Sequence, residues 1–504
     1  MVGADASKAS AIGTSFEFVT TQVVSDFTPE GLFMRKRSQV IVRFFSVLLF
    51  IVCAWTLRPA LAGDDGWIPL FNGKDLTGWH VLNGTAPYRA ENGEIIGVST
   101  PGTPNTFLVT RDSFKDFILE YEMKMDDDLN SGVQIRSASL ESYQNGRVHG
   151  LQIECEDTKR AWAGGLYDEG RKGWRYPLEY NPAGKNAYRK GEWNLFRVFA
   201  IGDRIMVWVN DIPVANLIED VVETGFIGLQ VHSIGKSEEL AGRLIRWRNL
   251  RLKPATSADL GATGISNAPE VSYRPNELTE KERSEGWKLL WDGKTAAGWR
   301  GAKLTGFPEK GWGITEGTLR VQPLDGGEST NGGDIVTEKK YANFTLEVDF
   351  TITKGANSGI KYFVDTELNK GAGSSIGCEF QILDDDVHPD AKLGVDGNRT
   401  VGSLYDLIRA NGLEFNPNLP REKYINEYGM WNRARIVVNG NHVEHYLNGI
   451  KVVEYERNTQ MWHALVSCSK YRVWPNFGGQ QTGHLLLQDH GSEVRFRSIK
   501  IKEM

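Results

Sequence analysis

Glu379, Gln381, Lys361 and His490 are the residues whose types and spacing point first to chemistry. Successive side chains of a strand face opposite sides, so in residues 377–384 Cys378, Phe380 and Ile382 share one face, and Glu379 and Gln381 the other. With the apolar face buried against a partner sheet, Glu379 and Gln381 stand on the open side. In 483–490, GHLLLQDH, the set Leu486, Gln488 and His490 alternates with Leu485, Leu487 and Asp489. If the first set faces the same open side, His490 can meet Glu379. Lys361 likewise projects away from Ile360 and Tyr362. A carboxylate, a cation and an imidazole in one cleft can divide proton abstraction, stabilisation of negative charge and protonation of a leaving group. The pattern leaves open which is base and which acid. The plainer alternative is a solvated strand face, with His490 anchoring a hairpin.

These segments need strands to hold them. Residues 117–123, 205–209, 433–438 and 494–501 alternate in polarity, and Asn439-Gly440 and Asn448-Gly449 fall at hairpin spacing. Short strands broken by turn signals predict an all-β sandwich. The chain carries the pattern twice. WIPLFNGKDLTGW at 67–79 recurs as WKLLWDGKTAAGW at 287–299, and FILEYEMKMDDDLNSGVQI from Phe117 recurs as FTLEVDFTITKGANSGIKY from Phe344. GLQIECED from Gly150 matches GCEFQILD from Gly377, and GFIGLQVH at 225–232 matches 483–490. The order is kept and the period is far longer than a solenoid repeat, so this is a tandem domain duplication. The offset grows from 227 to 238 between Gly377 and Tyr405, adding 11 residues around His388, Asp390 and Arg399. It grows to 258 between Asn448 and Gly483, adding 20 residues around 469–472. Long loops on a rigid scaffold are where specificity is built, so the second copy is expected to have the richer cleft.

The 504 residues carry a net charge of −6 and a pI near 6.0, which argues against nucleic acid or an anionic membrane as partner. With 55 Gly and 15 Trp, a helical bundle or coiled coil is excluded as the main fold. Arg35, Lys36, Arg37 and Arg43 precede a 14-residue apolar run, 44–57, and an Ala60-Leu61-Ala62 end. That is the layout of a secretory signal peptide, and a membrane anchor is the alternative. Met34 is read as the start, 1–33 as a mis-called extension, and 34–62 as a signal cleaved near Ala62, giving an exported protein in periplasm or medium. The copies then span 63–253 and 286–504. Between them, 254–285 reads as a linker ending in a short helix opened by a Thr279/Glu282 capping box. Cys155, Cys378 and Cys468 are expected to be small buried hydrophobes, although a Cys378–Cys468 bridge is conceivable. Trp79, Trp193, Trp299 and Trp431 are expected to serve packing.

FNGKDLTGW, NSG, GCEFQILDD, GSLYDL, WN, LNG, LLQDHG and VRFRSIKI together mark one bacterial family. Over nearly all of both copies the sequence resembles the DUF1080, or 3-keto-disaccharide hydrolase, domains. The resemblance implies two tandem concanavalin A-like jelly-roll β-sandwiches. It also implies cleavage of glycosides whose sugar a separate oxidoreductase has oxidised to a ketone at C3. Such a ketone acidifies the C2 proton, so a base can remove it, the C1 substituent can leave, and water can add back. For that reaction Lys361, Glu379 and His490 are the catalytic candidates, with Gln381, Asp384, His388, Arg399, Tyr405 and Gln488 around the sugar.

The first copy departs from the pattern at its centre. Gln152 and Glu154 stand for Glu379 and Gln381, and Gln134 stands for Lys361 with Arg136 two positions on. Asp157, Tyr167 and His232 are kept, so this copy is expected either to act on another sugar or only to bind one. No metal is assigned. Asp126–Asp128 and Asp384–Asp386 invite a calcium ion or other divalent cation, but solvated loop acids account for them better. The competing function is a non-catalytic glycan-binding protein made of two lectin-like sandwiches.

Overall fold

The computed structural model describes residues 66–504 except 221, 263–265, 325–326, 369–372 and 411–422. The leader read at 34–62 lies outside the described residues. Among those described, no helix is long and apolar enough to cross a membrane.

The described residues form four sheets, two in each copy. A nine-stranded and a seven-stranded sheet come from the first copy with its linker, and an eight-stranded and a five-stranded sheet from the second. Within each copy one sheet lies against the other, giving two jelly-roll sandwiches. Alternation explains the packing. In Phe117–Met125, Leu119, Tyr121 and Met123 point into the core, where Tyr121 stacks on Phe196 at 5.0 Å. Glu120 and Glu122 point outward, and Arg197, Arg251 and Arg248 hold them. The hairpin predicted at Asn448-Gly449 forms with φ of 49° and 83°, the left-handed pair that a tight two-residue turn requires.

The linker is more structured than its small-residue composition suggests. Glu270–Ser272 adds a parallel strand to the first sandwich beside Ile212–Ile218. Tyr273 then lies between the guanidinium groups of Arg175 and Arg433, at 3.6 and 4.0 Å from its ring centre. The two stacked cations tie the linker to both copies. The helix Glu280–Ser284 starts with the expected capping box of Thr279 and Glu282.

Two expectations change. Cys378 is buried, Cys468 is exposed, and the two are not bridged, because Cys468 lies on a helix whose outer face it occupies. Trp193 and Trp431 are half-buried rather than core rings. Each carries an arginine on its face, Arg248 at 4.0 Å and Arg497 at 3.9 Å. Trp79 and Trp299 are buried, each donating its indole N–H to a backbone carbonyl.

Candidate active site

Six strands position the comparison between the copies. In the first sandwich these are β1 (Asn130–Ser139), β2 (Val148–Glu156) and β3 (Phe226–Val231). In the second they are β4 (Asn357–Asp365), β5 (Ile376–Leu383) and β6 (His484–Leu487). In β4 and β5 the buried set is Ile360, Tyr362, Cys378, Phe380 and Ile382, which sends Lys361, Glu379 and Gln381 to the opposite face. Lys361 is the direct cross-strand partner of Glu379, and Gly359 is the partner of Gln381. That glycine is the reason for the NSG motif. A Cβ on Gly359 would sit 2.1 Å from Glu379 Oε1, so its absence lets the carboxylate lie across the strand. The neighbouring Ser358 hydroxyl donates to the Gln488 carbonyl at 2.8 Å and locks β4 to the end of β6.

The result is a cleft of about 290 Å³ whose lining includes Lys361, Glu379, Gln381, Tyr405, Gln488 and His490. Among the described residues, four polar atoms on this lining have no hydrogen-bond partner: Ser375 Oγ, Gln381 Oε1, Gln488 Oε1 and His490 Nδ1. Unpaired buried polar atoms are costly, and four converging on one cavity suit a ligand rich in hydroxyls.

Beneath the cleft runs a chain of charge. Asp334 is fully buried and accepts from the backbone amide of Asp489 at 3.0 Å and from the Ser329 hydroxyl at 3.1 Å. Its other oxygen lies 3.8 Å from Lys361 Nζ, and Glu328 lies 3.9 Å from the same ammonium. Burial raises the Asp334 carboxyl to about 7 despite Lys361. Burial would depress Lys361, but Glu379, Asp334 and Glu328 outweigh it and hold the ammonium above the usual lysine range. Burial also pushes Glu379 above the ordinary carboxylate range, with Lys361 and then Lys470 opposing the shift. A buried carboxylate raised toward neutrality is a stronger base than a solvated one.

One wall is built by an insertion that the sequence located without giving its structure. Residues 460–468 form a helix, and Lys470–Val473 a further turn. They bring Lys470, Tyr471 and Trp474 to the cleft beside Tyr405. Tyr471 is buried and stacks on Phe477 at 4.0 Å, which fixes the turn. The Lys470 ammonium rests 4.1 Å from the centre of the Tyr405 ring. The jump in offset marks this segment, but nothing in it marks Lys470 or Trp474 as facing Glu379. Asp334 and Ser375 carried no pattern signal.

Other candidates stand outside the lining. Asp384 is buried and accepts from the Gly355 amide at 2.6 Å and the Tyr428 hydroxyl at 3.0 Å, closing the turn after β5. Arg399 is spent on Asp390 at 2.8 Å and Asp406 at 2.7 Å. Through them it acts on Tyr405, whose hydroxyl donates to Asp390 at 2.7 Å. His388 lies behind His490, with ring centres 6.3 Å apart.

In the first sandwich the same register pairs Gln134 with Gln152 and Gly132 with Glu154. Gln134 donates to Gln152 at 2.7 Å, where the second copy places Lys361 against Glu379. Glu154 is buried and receives Asn130 and Gln152, and burial followed by Glu156 raises it to about 7. Asp157 pairs with Lys190 at 3.3 Å, Tyr167 packs edge-on to Trp174 at 5.2 Å, and His232 holds the Ser233 carbonyl. Arg136 does not belong to this face. A bulge between Ile135 and Ala138, with φ of 45° at Arg136, breaks the alternation. Its side chain therefore goes to Asp116 at 2.8 Å and to two backbone carbonyls.

The aspartate triplets do not fit a cation site. Asp126 is held by Arg246, Asp127 and Asp128 face Lys190, and Asp385 pairs with Lys423. Among the described residues one group has metal-ligand spacing, His442, Glu444 and Glu454. Lys451 already bridges its two carboxylates at 3.1 and 2.6 Å, and the hairpin lies outside the cleft.

A 3-keto-disaccharide hydrolase from Bacteroides thetaiotaomicron is 37% identical over 239 residues, 44% of this chain and 79% of that protein. Two solved structures from Parabacteroides distasonis, classed with the glycosyl hydrolases, also align. One is 31% identical over 46% of this chain and 100% of that one, with a TM-score of 0.38. The other is 25% identical over 43% and 99%, with a TM-score of 0.32. The profile of the 3-keto-alpha-glucoside-1,2-lyase-like domain matches twice, at residues 66–253 and 286–502, and the chain belongs to that family.

Proposed function

We propose that the second sandwich cleaves 3-keto-glycosides by removing the C2 proton, expelling the C1 oxygen and letting water add. The observation that carries this reading is the cross-strand pair of Lys361 and Glu379 on the floor of a cleft with four unpaired polar atoms. Glu379 is the base. Its buried carboxylate takes the C2 proton, and the released electron pair moves through C2–C3 onto the ketone oxygen. The ammonium groups of Lys361 and Lys470 supply positive charge for that enolate. Collapse of the enolate forms C1=C2 and breaks the C1–O bond, and His490 gives the leaving oxygen its proton. Addition of water to C1=C2 completes a net hydrolysis. The cavity has room for about one sugar ring, at the small end of ligand pockets. An oxidoreductase that makes the C3 ketone must act upstream, and the leader at 34–62 would place the reaction outside the cytoplasm.

The test is mass spectrometry of 3-keto-trehalose or a 3-keto-glucoside incubated with the wild type and with Glu379→Gln. Cleavage by the first and not the second supports the reading. Binding of unoxidised glycan with no cleavage of either keto-sugar would leave the two-lectin alternative. Full activity of Glu379→Gln would move the site elsewhere.

A further inference from the structure

Two lysines line the cleft, and their surroundings differ. Lys361 is buried in the sheet with Asp334 and Glu328 within 4.0 Å. Lys470 stands on the insertion unique to the second copy. Among the described residues it has no carboxylate at ion-pair distance; Glu379, Glu328 and Asp406 act on its ammonium only from further away. Its backbone is nonetheless fixed. The Lys470 amide donates to Asp406 at 2.8 Å, and Tyr471 beside it is buried in an aromatic stack. Tyr405, held by Asp390, supports the ammonium from below.

We propose that Lys470 is a nucleophilic amine that condenses with the substrate's C3 ketone, so that elimination runs through a protein-bound iminium. The inference rests on the 3-keto-glycoside reading above and replaces its enolate with an enamine. The neutral amine adds to C3, and the ketone oxygen departs as water, taking one proton from the amine nitrogen and one from solvent, which leaves C3=N⁺–H. Glu379 then takes the C2 proton. The C–H pair becomes C2=C3, and the C=N pair withdraws onto nitrogen. The nitrogen pair then re-forms C3=N⁺, the C2=C3 pair moves to C1=C2, and the C1–O pair leaves with the oxygen, which His490 protonates. Water adds to the iminium carbon, and the ketone and the free amine separate. An iminium is a better electron sink than a ketone, which is why amines are recruited for this step. Lys470 is exposed at the mouth of the cleft, where substrate can reach its amine. The adjoining cleft wall, with Lys361 adding to it, holds it below the usual lysine range against the pull of Glu379.

The test uses the full protein with 3-keto-1,5-anhydroglucitol, a ketone without a leaving group, and sodium cyanoborohydride, followed by peptide mapping. The expected result is one adduct on Lys470, heavier by the ketone less one oxygen. Anhydroglucitol itself should give none. Lys470→Arg keeps the charge and cannot form the bond, so it should be unlabelled and slower by roughly two orders of magnitude. Absence of an adduct, an adduct on another lysine, or near wild-type turnover by Lys470→Arg would each overturn the iminium. If turnover still depends on Glu379 in those cases, the keto-glycoside reading stands without it. If no keto-glycoside is cleaved at all, both readings fall together.

Discussion

The two sandwiches share a framework and differ in what it presents. Both use an NSG glycine to let a side chain from the next strand lie over the sheet. In the first copy a Cβ on Gly132 would meet Gln152 at 2.5 Å, as one on Gly359 would meet Glu379. Both fasten that segment through a serine, Ser131 to the Gln230 carbonyl and Ser358 to the Gln488 carbonyl. Above this framework the ionic elements are present in only one copy. Lys361, Glu379 and Asp334 have Gln134, Gln152 and Phe107 as their counterparts in the first copy. A buried lysine needs a buried counter-charge, so Lys361 and Asp334 belong together, and the copy without the one is also without the other. The insertion with Lys470 is also missing from the first copy. One framework thus presents a lysine–carboxylate pair in the second copy and a glutamine pair beside the buried Glu154 in the first.

The largest effect tests that asymmetry directly. Glu379→Gln should lower kcat by about 10²–10⁴-fold, the usual range for a general base, while Gln152→Ala leaves turnover unchanged. Loss of activity from the first-copy change alone would reverse the assignment. The pH profile should agree. Burial raises Glu379, so the deprotonated base and the rate appear as pH climbs through a value above the ordinary carboxylate range.

Arg136 is next. The guanidinium, 3% exposed, bonds to Asp116 and to the carbonyls of Lys115 and Gly202. Arg136→Met should cost about 3 kcal/mol in denaturant unfolding, near the low end for breaking a buried pair because Asp116 keeps solvent. It should leave kcat/KM untouched. A changed KM with unchanged stability would restore Arg136 as a sugar contact.

Glu154 gives a smaller effect, with a defined sign. Its folded value of about 7 lies above its unfolded one, so the native state holds the extra proton. The stability from that proton is complete at low pH and is lost as pH rises through about 7. The full difference is at most about 3 kcal/mol. Glu154→Gln should flatten the fall in Tm between about pH 5 and 8, measured by scanning calorimetry; an unchanged slope would place the titrating group elsewhere.

The smallest effect concerns Cys468. It is exposed and unbridged, so Cys468→Ser should change stability by no more than about 0.5 kcal/mol. The native protein should also present a thiol that reacts without denaturant. A loss of several kcal/mol would point to a bridge.

Much of this was legible in the chain itself. Period-two alternation put Lys361, Glu379 and Gln381 on one face, because a strand allows a side chain only two directions. Duplication, turn residues and the capping box are local patterns of the same kind. Arg136 shows where the rule stops. One bulge turned its side chain from the open face toward the opposite sheet, and a bulge has no period to read. Asp384 and Arg399 fell on the right loop, but which loop residues point inward is set by partners such as Gly355 and Asp406.

The sequence alone thus determined two related all-β copies, an asymmetry between them, and a charged strand face in the second. Only the tertiary structure brought Asp334 beneath Lys361, set Lys470 over Tyr405 opposite Glu379, and made the linker a strand of the first sheet. The reason is distance along the chain. Alternation and turns act between near neighbours, whereas Lys470 and Glu379 lie on separate segments that only the closing of the sandwich brings to one cleft.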